Sequence, residues 1–156
     1  MHGLCFPAHV ELIAFPFEAD FLAGEAAAIC YNGKNPMKSL DVAMKGHHES
    51  VMEHAAFTFK ITGVSRCLLA QLTRHRLASF SVQSQRYVSM VNGMDYVIPP
   101  KIIGLGNDAV NEYVTQMETM HRWYKEWVYK LGGGKDALED ARFVLPGACG
   151  TDRIPV

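Results

Sequence analysis

Residues 107–131 read NDAVNEYVTQMETMHRWYKEWVYKL, with apolar side chains at Val110, Tyr113, Val114, Met117, Met120, Tyr124, Trp127, Val128 and Leu131. This is the i, i+3, i+4, i+7 spacing of a helix that turns one face to a core. Asn107 is placed to cap its start, and Gly132-Gly133-Gly134 stops it. Such a stripe fills a core more often than it lines a cofactor pocket, so no chemistry is assigned to it. A helix this long makes the chain helix-rich.

Working outward, a further helix is expected over Lys135 to Phe143, stopping before Pro146. On the N-terminal side, Glu18 to Tyr31 reads as a helix around its alanine run, with Gly33 beyond as a stop. Met37 to Lys45 reads as a second, ending at Gly46. Ser50-Val-Met-Glu53 fits a capping box, in which serine and glutamate satisfy each other's orphan amides. Phe57, Phe59 and Ile61 alternate with Thr58, Lys60 and Thr62, the period of a half-buried strand, and Gly63 breaks it. Ser65 can cap one more helix, Arg66 to about Leu77, with Leu68, Leu69 and Leu72 available to the core. No repeat, low-complexity tract or linker interrupts the chain. The expectation is one α+β, helix-rich domain over residues 1–156 with a small antiparallel sheet.

With 156 residues, 49% hydrophobic and 20% charged, the composition is globular rather than disordered. A net charge of −1 favours neither a nucleic-acid coat nor a membrane-surface protein, and no apolar run approaches a bilayer span. The first residues, MHGLCFPAHVELIAF, lack a cationic start before their apolar part, so no secretory signal is expected and the cytoplasm is the default. Cys5, Cys30, Cys67 and Cys149 are scattered without a C-x-x-C pair. They read as buried free thiols rather than a disulfide framework or zinc knuckle.

The charge is unevenly placed. Between Glu53 and Asp95 there is no acidic residue, whereas Lys60, Arg66, Arg74, Arg76 and Arg86 all lie there. A zone cleared of carboxylates can receive an anion without an internal competitor. Within it, residues 74–87 read RHRLASFSVQSQRY. Ser79, Ser81, Gln83, Ser84 and Gln85 add neutral groups able to bond phosphate oxygens or a base edge. On the preceding helix Gln71, Arg74 and His75 fall at i, i+3 and i+4 and so share a face. The compact cluster suits a small phosphorylated molecule. Two other readings stay open: a solvated loop with dipole-complementing arginines, or a single-strand nucleic-acid surface using Phe80 and Tyr87 for stacking. Nearby, His47, His48, Glu49 and His54 suggest metal, but the H-E-x-x-H pattern fails at its second histidine and no metal is expected.

RHRLASFSVQS resembles the R-H-R, seven residues, S signature of the flavin-dependent thymidylate synthases, also called thymidylate synthase complementing proteins. GHHESVMEHAAFTF, GVSRCLLAQLTRHR, SQRYV and EDARFVLP are similar to further segments of that family, in family order. The resemblance implies an α+β fold and conversion of dUMP to dTMP. Methylenetetrahydrofolate would supply the carbon, FAD would carry the hydride, and NADPH would reduce the flavin. It also implies a homotetramer with active sites shared between subunits, and no nucleic-acid or membrane partner.

By position, the resemblance gives Arg74, His75 and Arg76, with His48 and Ser50, to FAD. It gives Gln71, Arg74, Ser84, Arg86 and Arg142 to dUMP, and Gln83 and Gln85 stand beside them as substrate-binding candidates. Glu53 matches an acid of the same segment as Ser50, where capping alone accounts for it. Ser84 is expected to bind rather than to attack, since no base is placed to activate it.

Ser81 and Val82 depart from the strict signature, which has Asn and an acid there. After Leu145-Pro146 the chain reads GACGTDRIPV. The expectation is a shortened member, lacking the family's C-terminal strand and helix. No counterpart of its uracil-activating arginine can be placed, Arg153 coming too early, so no catalytic residue is assigned. A catalytically impaired flavin- or nucleotide-binding remnant of the same fold is the alternative, with a small single-strand nucleic-acid module behind it.

Overall fold

The structure is a computed structural model that describes residues 8–151 and the backbone of 154–155. Cys5 and Arg153 fall outside the described residues. Contacts within the chain divide it into two compact units: Glu11–Lys60, and Met1–Val10 with Ile61–Val156.

The smaller unit holds helices α1 (Ala19–Tyr31) and α2 (Pro36–Lys45) and a single 3-10 stretch, Glu49–His54. Strand β1 (His9–Ala14) neighbours β2 (Thr58–Thr62), and the Lys60 Nζ lies 3.5 Å from the Glu11 carboxylate. Asn35 caps α2 by accepting from the Lys38 N–H at 3.0 Å, with Pro36 at the first helical position. The alanine run lets the helices meet closely: Ala27, Ala43 and Val51 form the core, with Ala26 and Leu40 packed against them. Gly24 is required by this approach, because a Cβ there would stand 2.7 Å from the Pro36 carbonyl oxygen.

In the larger unit, α5 (Asn107–Lys130) carries the core. Asn107 is its first helical residue rather than its cap. Gly106, at φ 97°, makes the turn one residue earlier, and its carbonyl accepts from the Val110 N–H at 3.2 Å. Met117 and Tyr124 are buried with Met90, Met94, Tyr96, Ile98, Leu138, Ala141 and Cys149, while Val110, Tyr113, Val114, Met120 and Val128 pack against them. Trp127 and Leu131 leave the core, at 46% and 45% exposed. The expected stripe therefore holds over most of the helix and fails near its end.

Gly132 and Gly133, at φ 82° and 73°, close α5, and α6 follows over Gly134–Ala141, with a 3-10 turn at Arg142–Val144. Two-residue strands β3 (Val64–Ser65) and β4 (Gly150–Thr151) pair antiparallel, Val64 with Thr151 and Ser65 with Gly150. Helix α3 (Arg66–Leu72) follows β3, the short α4 (Pro100–Ile103) precedes α5, and β5 is Ile154–Pro155.

Polar groups of α5 fix the irregular chain that runs past it. The Tyr124 hydroxyl accepts from the Met90 N–H at 3.4 Å, and His121 Nε2 lies 2.6 Å from the Met90 carbonyl. The Tyr113 hydroxyl donates to the Val97 carbonyl at 3.3 Å. Three backbone groups of a stretch without regular structure are thus satisfied by one helix, while the Val97 N–H and the Asp95 carbonyl bond to the 148–150 segment.

Among the cysteines the expectation fails twice: Cys30 and Cys67 are exposed, and only Cys149 of the described three is buried. The alternating burial expected along β2 is also missing, since every residue of that strand is half-buried. Among the described residues no helix is long and apolar enough to cross a membrane.

Candidate functional site

Ser65 accepts from the Leu68 N–H at 3.2 Å and so caps α3, as its sequence suggests. Just beyond, the Arg66 N–H donates to the Cys149 carbonyl and the Cys67 N–H to the Gly147 carbonyl, both at 2.9 Å. The start of the helix is therefore pinned to the 147–151 segment.

Its end comes earlier than the expected Leu77. After Leu72 the amides of Arg74 and His75 reach back only three residues, to the Gln71 and Leu72 carbonyls at 3.1 Å. The Thr73 hydroxyl takes the Leu69 carbonyl at 3.0 Å. The ladder tightens and unwinds there. Gln71, Arg74 and His75 consequently do not share the face of one regular helix. Leu68 is exposed and α3 buries no residue completely, so its leucines contribute less to the core than expected.

Arg74, His75 and Arg76 stand exposed in these turns, and among the described residues none has a recorded ion pair or side-chain hydrogen bond. Gln71 is exposed at the last turn of α3.

The second half of the signature folds onto the larger unit. The Ser84 hydroxyl accepts from the Arg86 N–H at 3.2 Å, and the Ser84 carbonyl accepts from Tyr87 and Val88 at 3.3 and 3.0 Å. This local turn ties Gln83, Ser84, Gln85 and Arg86 together, all half-buried. The Arg66 guanidinium donates through Nη2 to the Gln83 carbonyl. Arg86 Nη2 lies 2.9 Å from Glu139 Oε2, and Arg142 Nε donates to the Glu139 carbonyl at 3.1 Å. Gln83, Ser84, Arg86 and Arg142 are thus brought into one neighbourhood with Arg66 and Glu139.

The expected clearance of carboxylates is corrected here. Glu139 lies outside the acid-free stretch but returns to it through α6, and Glu11 does the same for Lys60. Clearance along a sequence does not dictate clearance in space.

Positive charge nevertheless dominates this neighbourhood. Burial pushes the Arg66 guanidinium below its ordinary value; the Cys149 thiol acts in the opposite sense, and the Arg142 charge lowers it further. The Nε atoms of Arg66 and Arg86 are both buried without a hydrogen-bond partner. A buried guanidinium donor left unpaired is costly, so internal partners compensate these cations only in part and an anion beside them would be drawn to their charge. Cys149 itself is pushed up to about 11, mainly by burial, with Arg66 opposing the shift.

His48 and Ser50 belong to the smaller unit and are both exposed. The His48 ring lies 6.0 Å from that of Tyr31, tilted by 56°. The expected capping box does not form. His48 is the residue before the 3-10 stretch and makes no capping bond, while Ser50 lies inside it. Tight i to i+3 turns use the backbone groups that a box would cap, which leaves the Ser50 hydroxyl without a recorded partner among the described residues. Among the described residues no cluster of three or more His, Cys, Asp and Glu could hold a metal ion.

Sequence reasoning counted Arg66 as charge but gave it no role, and quoted Glu139 without one. A signal was available for Arg66. A cation in the first turn of a helix opposes the macrodipole, so another interaction must hold it there.

The family model described as thymidylate synthase complementing protein matches residues 11–154. The flavin-dependent thymidylate synthase of Clostridium tetani is 35% identical over 178 residues, covering 99% of this chain and 71% of that protein. That of Nitratidesulfovibrio vulgaris is 44% identical over 108 residues, covering 67% of this chain and 44% of its own. The probable flavin-dependent thymidylate synthase of Mycobacterium phage L5 is 38% identical over 146 residues, covering 83% and 59%. The chain therefore spans about 71% of the first of these relatives but only 44% and 59% of the other two. Among solved structures, a UMP/dUMP methylase, PolB from Streptomyces cacaoi bound with 5-Br UMP, matches with TM-score 0.70 at 23% identity. It covers 99% of this chain and 72% of that one, a likeness of fold.

Proposed function

Because the chain belongs to the thymidylate synthase complementing protein family, we propose that it methylates dUMP to dTMP. Methylenetetrahydrofolate is the carbon donor, FAD the bound flavin and NADPH the reductant. The observation that carries this reading is the half-buried group of Arg66, Arg86 and Arg142 around the Ser84 turn, with two guanidinium Nε donors unpaired. That arrangement suits the phosphate of a nucleotide.

In this reading Arg86 and Arg142 grip the phosphate, and the Ser84 turn completes the cradle with hydroxyl and amide donors. Gln83, Gln85 and Gln71 supply carboxamides for the sugar and base. Ser84 binds rather than attacks: its oxygen already accepts from Arg86 N–H, and no base bonds to it among the described residues. Phosphate binding orients the uracil, and its energy serves positioning of the ring for the reaction.

The residues present also fit a flavin dinucleotide. Among the described residues Arg74, His75 and Arg76 are exposed donors without an ion pair, as a pyrophosphate requires; in the smaller unit, taken by itself, Ser50 and His48 are exposed polar groups that the same proposal gives to the flavin. The flavin, when bound, supplies the hydride that completes the methyl group. Arg74, in the turns that follow α3, serves both flavin and nucleotide.

Assembly as a homo-oligomer, a tetramer with shared sites, belongs to the same proposal. Ile29 is 81% exposed, Phe143 82% and Leu77 fully so, more large apolar surface than an isolated chain ordinarily leaves to water. A cytoplasmic location belongs to the same proposal.

The purified chain should carry the visible absorption of flavin, change that spectrum on addition of dUMP, and form dTMP when methylenetetrahydrofolate and NADPH are also present. A colourless protein indifferent to added FAD would sink the reading. Flavin binding without dTMP formation would instead favour a remnant that retains the site but not turnover.

A further inference from the structure

We propose that Arg66 is the positioning residue of the phosphate cradle: by holding the Gln83 carbonyl, it fixes the direction in which the Ser84 amide points. The proposal rests on the nucleotide reading of the Ser84 turn given above.

The argument begins with the peptide unit. Gln83 C=O and Ser84 N–H belong to one planar trans group, so they point in opposite directions. A guanidinium bonded to the carbonyl therefore turns the amide away from itself. That amide makes no recorded hydrogen bond among the described residues, and neither does the next one, Gln85 N–H. Both are left available beside Arg86, whose own Nε is buried and unpaired.

The residues from Ser79 to Ser84 have no regular structure, so nothing in their own ladder could impose this orientation. Arg66 can, because its backbone is anchored. Its N–H donates to the Cys149 carbonyl at 2.9 Å, and it directly follows β3, which pairs with β4. One residue thus transmits the rigidity of the β3–β4 pair to the turn that meets the ligand. It also explains why a cation is kept at the start of α3, against the helix dipole and at a cost in burial.

Holding a carbonyl also leaves Arg66 Nε without a partner, in a neighbourhood that already contains Arg142. Arg66 adds to the positive field that a phosphate would meet. Its shape-setting role and its charge act in the same direction.

The test compares wild type, Arg66→Ala and Arg66→Lys in the full chain. The first readout needs no ligand: amide hydrogen exchange at Tyr87 and Val88, which donate to the Ser84 carbonyl. Exchange there should accelerate about tenfold or more in Arg66→Ala, as expected for loss of a charge-assisted bond. It should return toward wild type in Arg66→Lys, whose ammonium can still reach a carbonyl. The second readout is calorimetric binding of dUMP against deoxyuridine. Arg66→Ala should weaken dUMP by about tenfold or more and leave deoxyuridine nearly unchanged. Unchanged exchange in Arg66→Ala would overturn the proposal. So would a parallel loss of dUMP and deoxyuridine binding that tracks a lower melting temperature, since that marks a general structural role. If wild type binds no dUMP, the nucleotide reading falls, and the exchange experiment alone then decides whether Arg66 orders the turn.

Discussion

Arg86 and Glu139 lie 2.9 Å apart, joined by a carboxylate from α6 that enters a stretch of sequence holding none of its own. Both side chains are about one third to two fifths exposed, at 42% and 35%. Solvent at that level leaves such a pair worth only about 0–1 kcal/mol of stability. Glu139→Gln should therefore melt within a few degrees of wild type. Its larger effect is on ligand: with the competing charge gone, inorganic phosphate and dUMP should bind on the order of a few-fold tighter. Thermal melts with and without phosphate check both halves. A large drop in melting temperature with no gain in phosphate binding would assign Glu139 to structure alone.

The two halves of the signature should separate under mutation. Arg74 is exposed and unpaired in the turn after α3, so Arg74→Ala should change the stability of the ligand-free chain by no more than about 0.5 kcal/mol. Flavin absorption should nonetheless be lost. Ser84→Ala removes an acceptor from the Arg86 N–H and should cost about 1 kcal/mol, with dUMP binding weakened about tenfold and flavin retained. Absorption spectra of the purified variants, combined with dUMP titrations, distinguish these outcomes. Identical losses in both variants would remove the proposed division between flavin and nucleotide.

Gly24→Ala tests the packing of α1 on α2. Alanine in a helix interior is ordinarily better than glycine by roughly 0.5–1 kcal/mol. Here its Cβ would meet the Pro36 carbonyl carbon and oxygen at 2.8 and 2.7 Å, backbone atoms that cannot swing aside. The helices must move apart, at a net cost of about 1–3 kcal/mol. A denaturant titration giving a stabilised variant would show that the close approach of these helices is not tight.

Tyr124→Phe removes one hydroxyl from a fully buried ring and leaves the Met90 N–H without its acceptor. The expected cost is about 1–3 kcal/mol, the penalty of an orphaned buried donor. The Tyr113 hydroxyl, by contrast, donates to Val97 from a half-buried position, so Tyr113→Phe should cost less. Small effects in both variants would mean that water replaces the lost bond at both places.

Alkali should weaken the larger unit through Cys149. Burial raises its thiol from 9.0 to about 11, so the folded chain keeps that proton where the unfolded chain releases it. The stabilisation is complete below pH 9 and disappears as pH rises through about 11. Tyr96 and Tyr113 are raised as well, burial being the first cause in each, and act in the same direction. Melting temperature should fall over this range, and Cys149→Ala should flatten the fall. Alkylation at neutral pH followed by peptide mapping should mark Cys30 and Cys67, which are exposed, and spare Cys149.

The helices were legible because their cause is local. The apolar spacing of Val110 to Val128 and the Ser65 cap act within a turn or two of chain, and both are present where the sequence placed them. Helix ends were less legible. Whether α3 continued to Leu77 depended on Thr73 and a switch to three-residue hydrogen bonds, which apolar spacing does not report.

By itself, the sequence determined the helix-rich α+β class, the family and the short region in which cations, hydroxyls and carboxamides gather. Those follow from periodicity, composition and motif order, which are properties of neighbours along the chain. Only the tertiary structure decided which cations are paired. Glu139 approaches Arg86 through α6, Glu11 approaches Lys60 through the pairing of β1 and β2, and Arg66 reaches the Gln83 carbonyl from an anchored helix start. Electrostatics and hydrogen bonding act through space, over a few ångströms, and no clearance counted along the sequence can stand for that distance.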